Sequence, residues 1–176
     1  MKCTECSSEM RVQKATHEKP YHFERCGLDN VFLAGIDLHI CDRCNFAYPI
    51  IPRIQDLHRT IASILIEKRA ALEGQEIRYL RKWIGMEAQA FAEILGLRPE
   101  HLSKVENGKL PLGAAAERLT RVYAMTYKQK MEFGEISERL PRVQRTKDAR
   151  TRRANLPHRC QFRGNRWRVE EEAKAA

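Results

Sequence analysis

The chain has 176 residues, 43% of them hydrophobic, and a formal net charge of +9. That length admits one ordinary domain or two small ones, and two small ones would each have a core thin enough to want a metal, a disulfide or a partner. No cationic and apolar leader opens the chain and its longest apolar stretches, such as residues 61–66, are too short to cross a bilayer, so neither secretion nor a membrane span is expected, and the cysteines are read for a reducing cytoplasm.

Residues 1–53 form the first region. Val31, Leu33, Ile36, Leu38 and Ile40 alternate, with Gly27, Asn30 and Gly35 as punctuation, which predicts short strands rather than a helix. Two knuckles flank that stretch, Cys3-Thr-Glu-Cys6 and Cys41-Asp-Arg-Cys44. A CxxC turn can present two sulfurs to one metal, and four soft thiolates in a tetrahedron suit zinc. With Cys3, Cys6, Cys41 and Cys44 all bound, no position is left for an activated water. A single Zn2+ there would be structural, holding together a module too small to hold itself. A redox or disulfide arrangement and an iron–sulfur cluster are the competing readings. Neither knuckle has a strand-to-helix redox setting, and spacing alone does not name the metal. Cys26, with His17, His22 and His39 near it in sequence, is read as a bystander, because two matched pairs already complete a site. Cys160 with His158 is a weaker second pair, for which a free thiol is the favoured explanation.

Residues 54–73 read as a connecting helix or linker. Ile54, Leu57, Ile61, Ile64 and Leu65 share one stripe, which would pack on either module or on a second subunit. The β-branched run 61–66 leaves room for a short strand. Over residues 74–140 the pattern is all-α. Ile77, Leu80 and Ile84 line a first helix ended by Gly85, and Phe91, Ala92 and Leu95 a second ended by Gly96. Leu102 and Val105 anchor a third, begun by Pro99 and closed at Asn107-Gly108. Leu119, Val122 and Tyr123 indicate later helices, with a less regular one over residues 127–140. The third helix leaves Arg98, Glu100, His101, Ser103 and Lys104 on its open side, and Lys109 follows where it can meet a phosphate. Arg98 at a groove entrance suits phosphate or guanine, and Glu100 can accept from a cytosine amine. Plain solvent exposure is the alternative for each. Neither Arg98 nor Glu87, at the two helix entrances, is a preferred N-cap.

Residues 141–176 carry much of the positive excess in Arg142, Arg145, Lys147, Arg150, Arg152, Arg153, Arg159, Arg163, Arg166 and Arg168. A basic, disordered C-terminal tail is expected, or one that folds on a partner. Its field attracts phosphate backbones and acidic surfaces alike.

The stretch from Gly74-Gln-Glu-Ile-Arg-Tyr-Leu-Arg-Lys82 through Gly85-Met86, Phe91-Ala92 and Leu95-Gly96-Leu97 to Ser103-Lys104-Val105-Glu106-Asn107-Gly108-Lys109 resembles the phage-repressor (Xre/Cro-like) helix-turn-helix family. Met1-Lys-Cys-Thr-Glu-Cys6 and Cys41-Asp-Arg-Cys44 are similar to the YgiT-type zinc-finger domain, and their order resembles the zinc-binding antitoxins of toxin–antitoxin systems. The likeness covers about residues 1–125. It implies a small α+β zinc-ribbon-like domain followed by an all-α helix-turn-helix domain. It also implies a homodimer on an inverted repeat in double-stranded DNA near its own promoter. Base reading would fall to Pro99, Glu100, His101 and Lys104, while Glu106 and Asn107 would mainly shape the turn and the adjoining backbone contact. Gln89 stands one position away from the family's usual Gln, which puts its phosphate-supporting contact in doubt. In antitoxin members the zinc domain neutralises an RNA-cleaving toxin protein.

The leading expectation is a sequence-specific repressor of its own operon, cytoplasmic and nucleoid-associated in a bacterium or phage. The alternatives are an antitoxin that also autoregulates, and a zinc-ribbon adaptor or RNA-binding protein using the basic tail. An enzyme is not expected: the metal is saturated by thiolates, and no spaced Ser/His/Asp or H-E-x-x-H constellation occurs.

Overall fold

The computed structural model describes residues 1–129 and 157–170, which fall into two compact units. One gathers residues 1–24, 29–60 and the chain from 157 onward; the other gathers residues 25–28 and the chain from 61 to 156. Expectations for a helix over residues 130–140, and for the arginine run from Arg142 to Arg153, lie outside the described residues.

The first unit is β-rich. Strands β1 (Met10–Lys14), β4 (Asp37–Cys41) and β5 (Ala47–Ile50) form an antiparallel sheet in the order β1-β4-β5. The register pairs Met10 with Cys41, so the two knuckles meet at one end of this sheet. Pro49 sits in β5, an edge strand, where its missing amide proton leaves no ladder bond broken. A second sheet has the order β2-β3-β6-β7, from β2 (Tyr21–His22), β3 (Val31–Ala34), β6 (His158–Arg163) and β7 (Arg166–Val169). Gly35 and Ile36 pass the chain from β3 in one sheet to β4 in the other. Gly35 holds φ +80°, and a Cβ there would lie 2.3 Å from the Phe162 carbonyl oxygen, so only glycine lets β6 come this close.

The hairpin β6–β7 corrects the expectation of a disordered tail for residues 158–169. It pairs in parallel with β3, with Val31 opposite His158 and Leu33 opposite Cys160. Its inner face carries Cys160, Phe162 and Trp167. Cys160 and Trp167 are buried, the two rings lie 5.2 Å apart, and the Trp167 indole donates to the Pro52 carbonyl at 2.9 Å. That period-two alternation supplies the apolar face a strand needs, between arginines that alone suggested solvent.

Helix α1 (Ile54–Glu67) runs from the first unit into the second, helical throughout, so the β-branched run 61–66 forms no strand. Leu57, Ile61 and Leu65 of its stripe are fully buried within the chain. The second unit continues with α2 (Gly74–Ile84), α3 (Ala88–Ile94), α4 (Pro99–Glu106) and α5 (Ala114–Gln129). Gly85, in the left-handed conformation, ends α2, and its amide and that of Met86 bond the Lys82 and Arg81 carbonyls. Ile77, Leu80, Ile84, Phe91, Ala92, Leu102, Val105, Ala124 and Met125 are among its buried apolar residues.

Three buried ionic groups tie these helices together. Arg121, wholly inaccessible, donates to the carbonyls of Leu65, Ile66, Lys68 and Ala70 at 2.6–3.0 Å, and to Glu117 at 2.9 Å. The last turn of α1 holds no basic residue of its own, so this guanidinium supplies both the donors and the positive charge that a helix C-terminus lacks. Lys68 bonds both oxygens of buried Glu76, at 2.7 and 2.9 Å. Glu106 is the third, and it belongs to the candidate interface.

Candidate metal centre and nucleic-acid interface

The two knuckles are local repeats of one turn. In the first, the Cys3 amide donates to the Ser8 carbonyl (2.8 Å) and the Ser7 amide to the Cys3 carbonyl (2.9 Å). In the second, the Cys41 amide donates to the Phe46 carbonyl and the Asn45 amide to the Cys41 carbonyl, both at 2.9 Å. Ser7 and Asn45, at matching offsets, take φ of 60° and 57°. Left-handed backbone at a non-glycine residue costs energy, and asparagine tolerates it better than most. Its recurrence at both knuckles is what turns each chain back so that its two sulfurs face the same point.

The four Sγ atoms of Cys3, Cys6, Cys41 and Cys44 all lie within 4.8 Å of one another. Cys3 and Cys44 approach to 3.5 Å, Cys6 and Cys41 to 3.4 Å, and Cys6 and Cys44 to 3.6 Å. A metal–sulfur bond of about 2.3 Å in a tetrahedron requires sulfur separations of about 3.8 Å, so the residues fit such an ion. Their protons do not fit together: the Ser8 hydroxyl and amide, then Cys41, pull the Cys6 thiol down to about 6. At Cys44 the Phe46 amide pulls the same way, but desolvation and the three other thiols outweigh it and push the group up to about 12. One sulfur takes the negative charge readily and its neighbour resists it, because four thiols this close share hydrogen bonds unequally. Ser8 is a supporting residue the spacing did not reveal. Cys26 and Cys160 take no part in the cluster, and Cys160 with His158 forms no metal-holding group among the described residues.

In the second unit, α3 and α4 are joined through Leu95, Gly96, Leu97 and Arg98. Arg98 is the N-cap of α4 and Pro99 its first residue, where proline costs no hydrogen bond. Leu102 and Val105 are 0% and 1% exposed. Arg98, Pro99, Glu100, His101, Ser103, Lys104 and Lys109 are all exposed, and Arg98, Glu100, His101, Lys104 and Leu110 line one shallow depression. Gln89 is exposed on the first turn of α3. Asn107 is exposed but occupied within the chain. Its Nδ2 donates to the Ser103 carbonyl at 2.8 Å, and its Oδ1 accepts from Arg78 at 2.6 Å.

Glu106, beside it, is gripped from α2. Arg81 Nε and a terminal nitrogen reach its two oxygens at 2.6 and 3.0 Å, Arg78 adds a contact of 3.3 Å, and Arg81 also bonds the Met86 carbonyl. The Glu106 hydrogen bond pushes the Arg81 pKa still higher, so this guanidinium is permanently charged. The backbone is equally close: a Cβ on Gly74 would lie 2.2 Å from the Val105 carbonyl oxygen. Arg78, Arg81 and Gly74 therefore fix where α4 ends. The signal for Arg81 was present, since it lies four residues after Ile77 and three before Ile84, on the buried side of its helix.

The fold and site together define a β-rich region with a four-cysteine cluster capable of holding a metal, followed by an α-helical region. No described helix is long and apolar enough to cross a membrane. Compared with protein-family models, with curated proteins and with solved structures, the chain finds no match.

Proposed function

We propose that this chain is a sequence-specific, double-stranded DNA-binding regulator that represses its own operon on the nucleoid, noncatalytic, with one structural Zn2+ at Cys3, Cys6, Cys41 and Cys44. The observation that carries the reading is α4. It is seated by two buried apolar side chains and a doubly bonded carboxylate, and its opposite face is a continuous exposed surface of Arg98, Glu100, His101 and Lys104. A helix held rigidly by one side and offering charged, hydrogen-bonding groups on the other is what a major groove accepts. Arg98 and Lys104 are assigned to guanine or phosphate, Glu100 and His101 to base edges, and Gln89, Ser103 and Lys109 to backbone contacts. Asn107, by contrast, shapes the turn.

A single recognition helix reads few base pairs, so the protein acts as a homodimer on an inverted repeat. The stripe of α1 is mostly spent inside the chain, which leaves the partly exposed Leu119, Val122 and Tyr123 of α5 for the dimer contact. Genome-wide footprinting tests the reading. The expected result is an inverted repeat upstream of this gene, with Arg98→Ala and Lys104→Ala each losing about 1–3 kcal/mol of discrimination. Equal protection of unrelated sequence by wild type and variants would overturn it.

An antitoxin role is a second reading, favoured by one observation. On the β1-β4-β5 sheet, Val12, Tyr48 and Ile50 are 60%, 40% and 43% exposed, and strand pairing places them on the same face. Such an apolar strip is suited to a toxin protein. Growth rescue by coexpression with a neighbouring small gene would support this role, and loss of rescue in a Val12→Asp, Tyr48→Asp variant would locate it.

A further inference from the structure

The β6–β7 hairpin presents a second cationic surface, on the first unit. Pairing sets Gln161 opposite Arg168 and Arg163 opposite Arg166, while Phe32 lies opposite Arg159. Residues paired across an antiparallel ladder share a face, as do alternate residues along a strand. Arg159, Arg163, Arg166 and Arg168 therefore stand on one side of the ribbon, and Cys160, Phe162 and Trp167 on the other. All four arginines are exposed, and none of their guanidinium groups makes an ion pair or hydrogen bond among the described residues. The only carboxylate in residues 157–170 is Glu170, which is held by His17, itself bonded to Gln161. The ribbon thus keeps its one acid occupied and its four cations free.

We infer that this arginine face binds the sugar–phosphate backbone of duplex DNA. This rests on the DNA-binding reading for its choice of polymer and adds a contact surface that α4 does not supply. All four cations are arginine, and no lysine occurs in residues 157–170. The planar fork of a guanidinium pairs two oxygens of one phosphate, where an ammonium offers only a point charge. Arg166 and Arg168 lie one strand repeat apart on β7, about 6.8 Å, Arg163 stands beside Arg166 across the ladder, and Arg159 lies two repeats from Arg163 along β6, with Gln161 between them. A cluster of unpartnered cations on one face of a narrow ribbon complements the dense anionic charge of a phosphate backbone. β7 is also the edge of its sheet, so nothing among the described strands flanks that side. Binding there is indifferent to base sequence, because the face reads phosphates alone.

The test uses the full chain and a random-sequence duplex lacking any inverted repeat, with affinity followed by anisotropy against salt. Each phosphate neutralised contributes about −0.9 to the slope of log K against log salt. Replacing all four arginines (R159Q, R163Q, R166Q, R168Q) is expected to flatten the slope by about 3–4 and to weaken low-salt binding more than tenfold, while the ratio of operator to random affinity stays unchanged. The single variant Arg168→Gln guards against misfolding and is expected to flatten the slope by about 0.9. An unchanged slope in both variants overturns the inference, whatever α4 does. So does a hairpin-dependent slope found with single-stranded RNA or poly-glutamate but not with duplex. Conversely, if Arg98→Ala and Lys104→Ala leave discrimination intact while the hairpin variants flatten the slope, the regulatory reading falls and this one stands.

Discussion

The knuckle end of the first unit and the helical second unit keep their shape by different means. Beside the cysteine cluster the buried residues are Cys3, Met10 and Cys41, with Cys6 and Phe46 packed against them. That is too little apolar surface to offset the entropy of ordering two turns and a three-stranded sheet. The helical unit buries Leu80, Phe91, Leu102, Ala124 and Met125 completely, and its charges at Glu76, Glu106 and Arg121 each meet an opposite charge. Where apolar surface is scarce, four cysteines converge on one point. Where apolar surface is ample, buried ions decide which helix end meets which.

The comparison breaks first on metal removal. Structural zinc is worth roughly 10–16 kcal/mol in small peptide domains, far more than the knuckles can supply otherwise. Chelation, or Cys41→Ser, is therefore expected to release the β1-β4-β5 sheet while α2–α5 persist. Elemental analysis should find one zinc per chain in wild type, and amide exchange should show protection lost in residues 10–14 and 37–50 only. Retained protection there in the metal-free protein would mean that the cluster is not structural. The next largest effect is Glu106→Gln, which strips the charge partner from Arg81 in a buried pair and is expected to destabilise the helical unit by about 3–5 kcal/mol. Replacing Arg81 and Glu106 together by Met and Leu should recover most of that loss in urea titrations, because no buried charge remains alone. Loss in the double variant as large as in the single would show that the pair is needed for more than charge balance.

How much of this was legible in sequence follows the range of the interactions. The knuckles and helices α2–α4 depend on neighbours within a few residues, so CxxC spacing, the triplet Ile77, Leu80 and Ile84, and the stops at Gly85 and Gly108 sufficed to place them. The exposure of Arg98, Glu100 and Lys104 followed from the burial of Leu102 and Val105 one turn apart. The hairpin did not follow, because its partner strand β3 lies more than a hundred residues earlier, and its arginines hid the alternation of Cys160, Phe162 and Trp167. Arg121 was missed for the same reason: it is buried only because α1 ends beside it, with four carbonyls from residues 65–70.

Gly74 sharpens the contrast within the helical unit. Alanine is ordinarily better than glycine in a helix by about 1 kcal/mol. At this position the added Cβ would lie 2.2 Å from the Val105 oxygen and 2.9 Å from the Gly108 nitrogen, both backbone atoms at the end of α4. Gly74→Ala is expected to destabilise by about 1–3 kcal/mol, reversing the propensity rule, with the midpoint of urea unfolding as the readout. A gain in stability would mean that α2 and α4 are not clamped as closely as Gly74 allows.

The smallest effect belongs to the first unit and separates its apolar part from its metal. His58, in α1, lies 6.2 Å from the Phe23 ring, and partial burial pushes its pKa below the ordinary 6.5. Between the depressed folded value and 6.5 the unfolded chain binds more protons than the folded one, so stability rises with pH across that window. The contribution is complete above 6.5 and declines as the pH falls from there through the folded value. Since the ring is only half-buried, solvent screening keeps the effect modest. Acid also protonates the cysteine ligands, and that loss is common to wild type and variant. A His58→Gln variant should therefore lose less stability than wild type between about pH 7.5 and 5, and the difference between the two urea curves isolates the imidazole. Parallel curves would mean that His58 titrates alike in both states, and that the β-rich unit responds to acid through other groups.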